Sequence, residues 1–472
     1  IITVNGRPDF ATTFQFSATP RISRLSNDVS SLFASMDDEL HFMMSSAIPD
    51  AEAQRLLLAE FGENFGVSAR AITDQLVASA SSTSSMGTTL NDVLSAYNQF
   101  VAYFNANANS FLQSTRINLG PHISREFFSG LVRLVTSFPA VRIAVQTLQG
   151  HLESATTATD VPSDVLRSLA RAVQFLKSHL PLLAYTFQRL GVNLYTAETF
   201  MVLFNQDLQT LRADFMQETV AFNAELSAVV TAVSLNFTSV GEMFDNAGTQ
   251  LNTQLTGREE NQTDFMSMLA MLKSFTSDRS MFLQELKEYL QLVSMGNQQS
   301  VETQVTATYY VDNSYSVDSP ALVLAMQLIS SNVYDRLCYN KYAALVADLP
   351  TLGRIRLSEC FHTELPRLRK LQELIQTYTL MVSYDVEDLL LNLYPCRSEY
   401  AADDCFATVG AYYPQLNAAR DSNVETRAGN FFISALTASV TRIALCFTRT
   451  NYYTFQNLVP SLERNIRNCR GV

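Results

Sequence analysis

The chain has 472 residues, 47% of them apolar, and a formal net charge of −12, so it can build more than one core. That charge disfavours nucleic acid and anionic membrane as partners, because both are bound mainly through basic surface. With only 16 glycines and 13 prolines, a turn-rich β architecture and a disordered chain are both disfavoured.

Residues 1–19 are expected to form an extended arm. Ile2-Thr-Val4 and Phe14-Gln-Phe16 alternate around an Asn5-Gly6 turn signal. Over residues 20–296, heptad-like columns predict a helical bundle domain. Ile22, Val29, Met36 and Met43 form one column beside Leu25 and Leu32. Leu90, Tyr97, Phe104 and Phe111 form another, flanked by Val93 and Phe100. Breaks are expected at Pro49, Gly62 to Gly66, Ser79 to Ser85, Gly120-Pro121, Pro162, Gly191, Gly257 and Gly296, giving roughly seven to nine helices. Asp92 and Arg116 are the only charges between Ser79 and Leu119. So neutral a face tolerates close lateral association.

The β-branched and aromatic run Val301 to Val311 predicts a strand in a linker over residues 297–317. Its partner is either the amino-terminal arm or a neighbouring molecule. The most apolar stretch, Phe431 to Phe447, carries Arg442 and several Ser and Thr, so no transmembrane segment is expected.

Residues 318–472 are expected to form a disulfide-stapled helical domain. Ser319-Pro320 is an N-cap with proline at the first helical position. Leu322, Met326, Ile329, Val333 and Leu337 then mark one face, and Asp348 to Gly353 is expected to end that helix. Phe361, Leu368, Ile375, Val382 and Leu389 recur every seven residues on the next, with Leu371 and Tyr378 alongside, up to Pro395-Cys396. Asp403-Asp404 can cap a short helix that Pro414 ends. A long helix follows through Phe431, Leu436, Val440, Ile443 and Phe447, and a last one spans Tyr452 to Cys469.

All six cysteines lie in this domain, at intervals of 22, 36, 9, 41 and 23. Positions facing each other across a helical hairpin have numbers with a nearly constant sum. Cys396–Cys405, Cys360–Cys446 and Cys338–Cys469 sum to 801, 806 and 807. A rise of ~1.5 Å per residue places Cys360 about 54 Å from Cys396 and Cys446 about 60 Å from Cys405. The rival set staples neighbours, Cys338–Cys360 and Cys446–Cys469. Six bridged cysteines imply an oxidising compartment. A chain beginning at Ile1 rather than methionine, and the sequons Asn236-Phe-Thr and Asn261-Gln-Thr, agree with secretion. Asn236 continues the apolar column Phe215, Phe222, Val229 and is expected to face inward. Asn261 follows Gly257-Arg-Glu-Glu and is the better acceptor.

No catalytic, cofactor or metal site is expected. None of the five histidines has metalloprotease spacing, and Asp37 with His41 is expected to be a surface ion pair. There is no Cys-x-x-Cys zinc pattern, phosphate-cradling glycine loop or nucleophile elbow.

From Glu359-Cys-Phe-His-Thr-Glu-Leu-Pro-Arg-Leu through Tyr384-Asp-Val-Glu-Asp-Leu to Tyr394-Pro-Cys396, the chain resembles insect secreted all-helical, cysteine-stapled proteins of the tsetse EP type. The likeness covers residues 335–472 and implies secretion, helices and no known catalysis.

The expected fold is mostly α: an elongated multi-helix bundle with coiled-coil-like packing, a small β element and a disulfide-stapled helical hairpin. The expected role is that of a secreted non-enzymatic structural or interaction protein. It would associate with itself or another extracellular protein through helical surfaces and strand pairing. The alternative is a carrier of an apolar ligand, a fatty acid or sterol, in a cavity lined from the 14 methionines and 30 phenylalanines.

Overall fold

The computed structural model describes residues 9–45, 47–82, 86–255, 263–305, 319–330, 334–396, 404–405, 407–409, 411–413 and 421–469. Helices take up nearly all of them, and none is in a strand. In chain order they are α1 (Thr19–Ala34), α2 (Ala51–Ala80), α3 (Met86–Asn118), α4 (Pro121–Leu152), α5 (Ser163–Leu255), α6 (Thr263–Val305), α7 (Pro320–Ser330), α8 (Asp335–Ala347), α9 (Leu349–Cys396), α10 (Asp421–Asn451) and α11 (Val459–Asn468). A π-helical run, Tyr452–Leu458, joins the last two, at the start of the stretch expected to form a separate last helix. Ser319 caps α7 as expected, its hydroxyl accepting from the Leu322 amide at 3.1 Å.

The chain divides into two units, residues 1–207, 315–347 and 461–472 in one, and 208–314 and 348–460 in the other. This division does not follow the boundaries expected at residues 20, 297 and 318. It falls inside α5, and it splits the expected stapled domain between the two units.

The first unit has a phenylalanine core. Ile22, Val29 and Met36 are fully buried, as are Leu90 and, within a few per cent, Phe100 and Phe111. Met43, the fourth residue of its column, is 91% exposed because α1 ends at Ala34. Phe61 and Phe111 stack 3.7 Å apart, Phe100 meets Phe138 at 4.3 Å, and Phe127 meets Phe187 at 4.8 Å.

Gly62, Gly66 and Gly191 were expected to break helices, yet each lies inside one. Their work is close packing. A Cβ on Gly66 would sit 2.9 Å from the Phe33 carbonyl oxygen, and one on Gly191 2.5 Å from that of Glu39. The glycines seat the backbone of residues 33–39 against α2 and α5. Gly191→Ala is therefore expected to destabilise this unit by about 1–3 kcal/mol in urea titrations, through overpacking. Gly150→Ala, with open space at its Cβ, should leave stability unchanged or slightly raised.

The second unit is a four-helix bundle of α5 beyond residue 207, α6, α9 and α10. Gln298 of α6 donates to the Asn223 carbonyl at 3.4 Å, so α6 returns antiparallel along α5. Arg354 and Arg369 of α9 reach Glu218 at 2.7 Å and Glu225 at 3.5 Å, so α9 runs parallel to α5. The heptad Phe361, Leu368, Ile375, Val382 and Leu389 is buried throughout. Phe361 lies 4.8 Å from Phe222 and 5.5 Å from Phe447, joining three helices at one point.

The expected β element is corrected. Val301 to Val305 continue α6, while residues 306–311 lie outside the described residues. Phe14 to Phe16 form bends and irregular backbone, and residues 1–8 also lie outside. Val301 completes a buried seam, Leu283, Leu286, Leu290, Ser294 and Asn297, and that packing outweighs the ~1 kcal/mol span of β-propensity. Gly296 faces open space inside the same helix. The helix end expected at Asp348 to Gly353 shrinks to Asp348 alone, with Pro350 in the first turn of α9.

Among the described residues, three helical stretches are long and apolar enough to cross a membrane by length and composition alone. They are Pro121–Leu152, Ser163–Thr253 and Arg427–Asn468, the last running through α10, the π-helical run and α11. Scattered Ser, Thr and Arg hid them from a search for unbroken apolar runs.

Candidate functional site: the stapled bundle and its outer seam

Cys338–Cys469, Cys360–Cys446 and Cys396–Cys405 are bonded, with Cα separations of 5.8, 5.9 and 5.4 Å. These are the three nested pairs. The last two staple α9 to the chain that returns along it, and no cysteine is free.

Between the two staples lies a buried charge. Glu364 of α9 is only 2% exposed, and its Oε1 accepts from Ser439 at 2.8 Å and from Arg442 Nε at 3.0 Å, both on α10. Arg442 Nη2 also bonds it, and Arg367 pairs with Oε2 at 3.0 Å. Burial raises the carboxyl's pKa, but the hydrogen bonds from Arg442 and Ser439 outweigh that and hold it below the ordinary carboxylate range. Near the other staple, the Tyr413 hydroxyl donates to Asp388 at 2.7 Å and accepts from Asn392 at 3.2 Å. Burial, then the bond to Asp388, pushes that hydroxyl's pKa up. Both clusters are structural clasps, with each polar group partnered across two segments.

The outward side of α9 is different. Leu374, Met381, Tyr384 and Leu391 are each half exposed or more. With Thr377 and Asp388 they follow the alternating three- and four-residue spacing of a coiled-coil seam. No charged residue occurs from Leu374 to Tyr384. The folded helix thus carries two seams, the buried heptad expected from its sequence and a second, open one.

A groove of about 690 Å³ opens beside the Cys360–Cys446 bridge, lined by Leu352, Ile355, Arg356, Glu359, Arg449 and Tyr453 among others. Arg449 lies over the Tyr453 ring at 5.7 Å. The groove mixes apolar side chains with both signs of charge and contains no nucleophile paired with a base.

His41 Nε2 lies 3.2 Å from Asp37, the two residues expected to pair at the surface, although Asp37 is buried. Among the described residues, no three His, Cys, Asp or Glu side chains gather as a metal site requires. Asn236 is half-buried inside α5, and Asn261 lies outside the described residues. A glycan is bulky and needs open surface, so glycopeptide mapping should find Asn236 unmodified. No protein-family model, curated protein or solved structure matches the chain.

Proposed function

We propose that this is a secreted, non-enzymatic interaction protein that self-associates through the open seam of α9. The observation that carries the reading is that seam of Leu374, Met381, Tyr384 and Leu391, uncharged from Leu374 to Tyr384. An apolar stripe, interrupted by Thr377 and Asp388, on a helix whose opposite face is already packed asks for another helix to cover it. A second copy offers the same stripe. Three intramolecular bridges support an oxidising, extracellular setting, as does the likeness to insect secreted helical proteins. Hydrogen exchange over residues 374–391 tests the reading. Protection should rise with protein concentration, and unchanged exchange over a hundredfold range would rule self-association out, leaving another extracellular protein as the partner.

The second reading, carriage of a fatty acid or sterol, draws on the groove beside the bridge, where Leu352, Ile355 and Tyr453 offer apolar contacts. Solvent extraction and mass spectrometry of the native protein would recover a stoichiometric lipid.

A further inference from the structure

The net charge conceals a strong segregation. From Pro121 to Leu152 and from Val165 to Ala197 there are seven Arg and Lys, and Glu126 is the one carboxylate. These stretches are α4 and the part of α5 that follows Asp164 in its first turn, packed antiparallel within the first unit. Ser137 and His179 are 2.9 Å apart, a Cβ on Gly130 would sit 3.2 Å from Leu183, and Arg189 bonds Glu126 at 2.5 Å.

Two of the seven cations are neutralised, Arg189 by Glu126 and Lys177 by Asp28. Among the described residues, Arg125, Arg133, Arg142, Arg167 and Arg171 pair with no carboxylate, and all five are exposed. The apolar residues between them are exposed as well. On α4, Phe128 is 55% and Ile143 61% exposed, with Val132 and Val135 between them. On α5, Phe175, Leu182 and Tyr185 are also exposed. At 100° per residue, Arg125, Val132, Arg133 and Ile143 share one arc beside the positions that face α5, whereas Arg142 turns toward α3 and lies over the Tyr97 ring at 5.3 Å. Phe175 and Leu182 share an arc with Arg171. In the antiparallel pair, both arcs turn to the same side, away from the core.

We propose that this α4–α5 face docks the protein on the surface of an anionic phospholipid bilayer. Exposed arginines meet the lipid phosphates and carboxylates. Val132, Ile143 and Phe175 enter the boundary between headgroups and acyl chains, as apolar side chains of interfacial helices do. Both helices also qualify as membrane-crossing by composition, although 44% of each window is buried inside the fold. With that share committed to the core, they can lie on a bilayer without unfolding the unit. The overall charge of −12 does not oppose this, because fields fall off within about 8 Å at physiological salt.

The test is co-sedimentation of the whole protein with vesicles of phosphatidylcholine alone and with 30% phosphatidylserine. Binding is expected only to the anionic vesicles, reversed by 0.5 M salt. The triple variant Arg125→Glu, Arg133→Glu, Arg171→Glu should bind at least tenfold more weakly, while Lys370→Glu in the other unit binds like wild type. Ile143→Ser should weaken binding at unchanged charge. Unchanged circular dichroism separates these effects from misfolding. Equal binding to both vesicles, salt-resistant binding, or wild-type affinity of the triple variant would overturn the proposal. So would capture by soluble heparin without vesicle binding, which would make the face a polyanion site.

Discussion

Arg442→Met is expected to destabilise the stapled bundle by about 3 kcal/mol, because it strips Glu364 of its main partner and leaves a carboxylate buried with little compensation. The double change Glu364→Leu with Arg442→Leu should cost much less, since no charge is then left in the interior. The pH dependence follows from the same pair. The folded carboxyl's pKa is depressed, so the unfolded chain binds its proton first as pH falls. Its stabilisation is therefore complete above the ordinary carboxylate range and is lost as pH drops through the lower folded value. In denaturant titrations, the gap between wild type and Glu364→Gln should be largest at neutral pH and shrink below about pH 4. A gap constant with pH would mean that the pair is not ionised in the folded protein.

Removing Cys338–Cys469 is expected to have the largest effect on the first unit. The bridge spans 131 residues, but nesting shortens what it closes. In an unfolded chain that keeps Cys360–Cys446, the added loop is only about 45 residues, for which chain entropy gives about 4 kcal/mol. Cys396–Cys405 closes a separation of 9, and the same relation gives roughly 2.5 kcal/mol. Replacing each pair by serine should reproduce that order in thermal melts. Hydrogen exchange should place the first loss in residues 320–347 and the second near residues 385–413. A reversed order would show that strain or residual structure, not loop length, sets the contribution.

The helical hairpin was legible because one arithmetic rule governs it. The constant sum that pairs the cysteines also pairs polar residues. Glu364 and Arg442 share the sum 806 with Cys360–Cys446, and Asp388 and Tyr413 share 801 with Cys396–Cys405. Both clasps could have been read from the same series. The glycines were misread because a helix break and a close backbone approach call for the same residue, and only the position of residues 33–39 decides between them. Val301 to Val305 were misread because β-branched residues report burial as much as strand. The basic face of α4 and α5 stayed hidden because net charge averages over units. Arginines without a carboxylate partner matter only once two helices set them side by side.

The most direct test of the proposed association is the solution mass by light scattering over micromolar to tens of micromolar protein, for wild type and for Leu374→Lys with Met381→Lys. Wild type is expected at a whole-number multiple of 52.6 kDa, and the double variant, with unchanged helicity, at the single-chain mass. A wild-type chain at 52.6 kDa throughout that range would contradict the account.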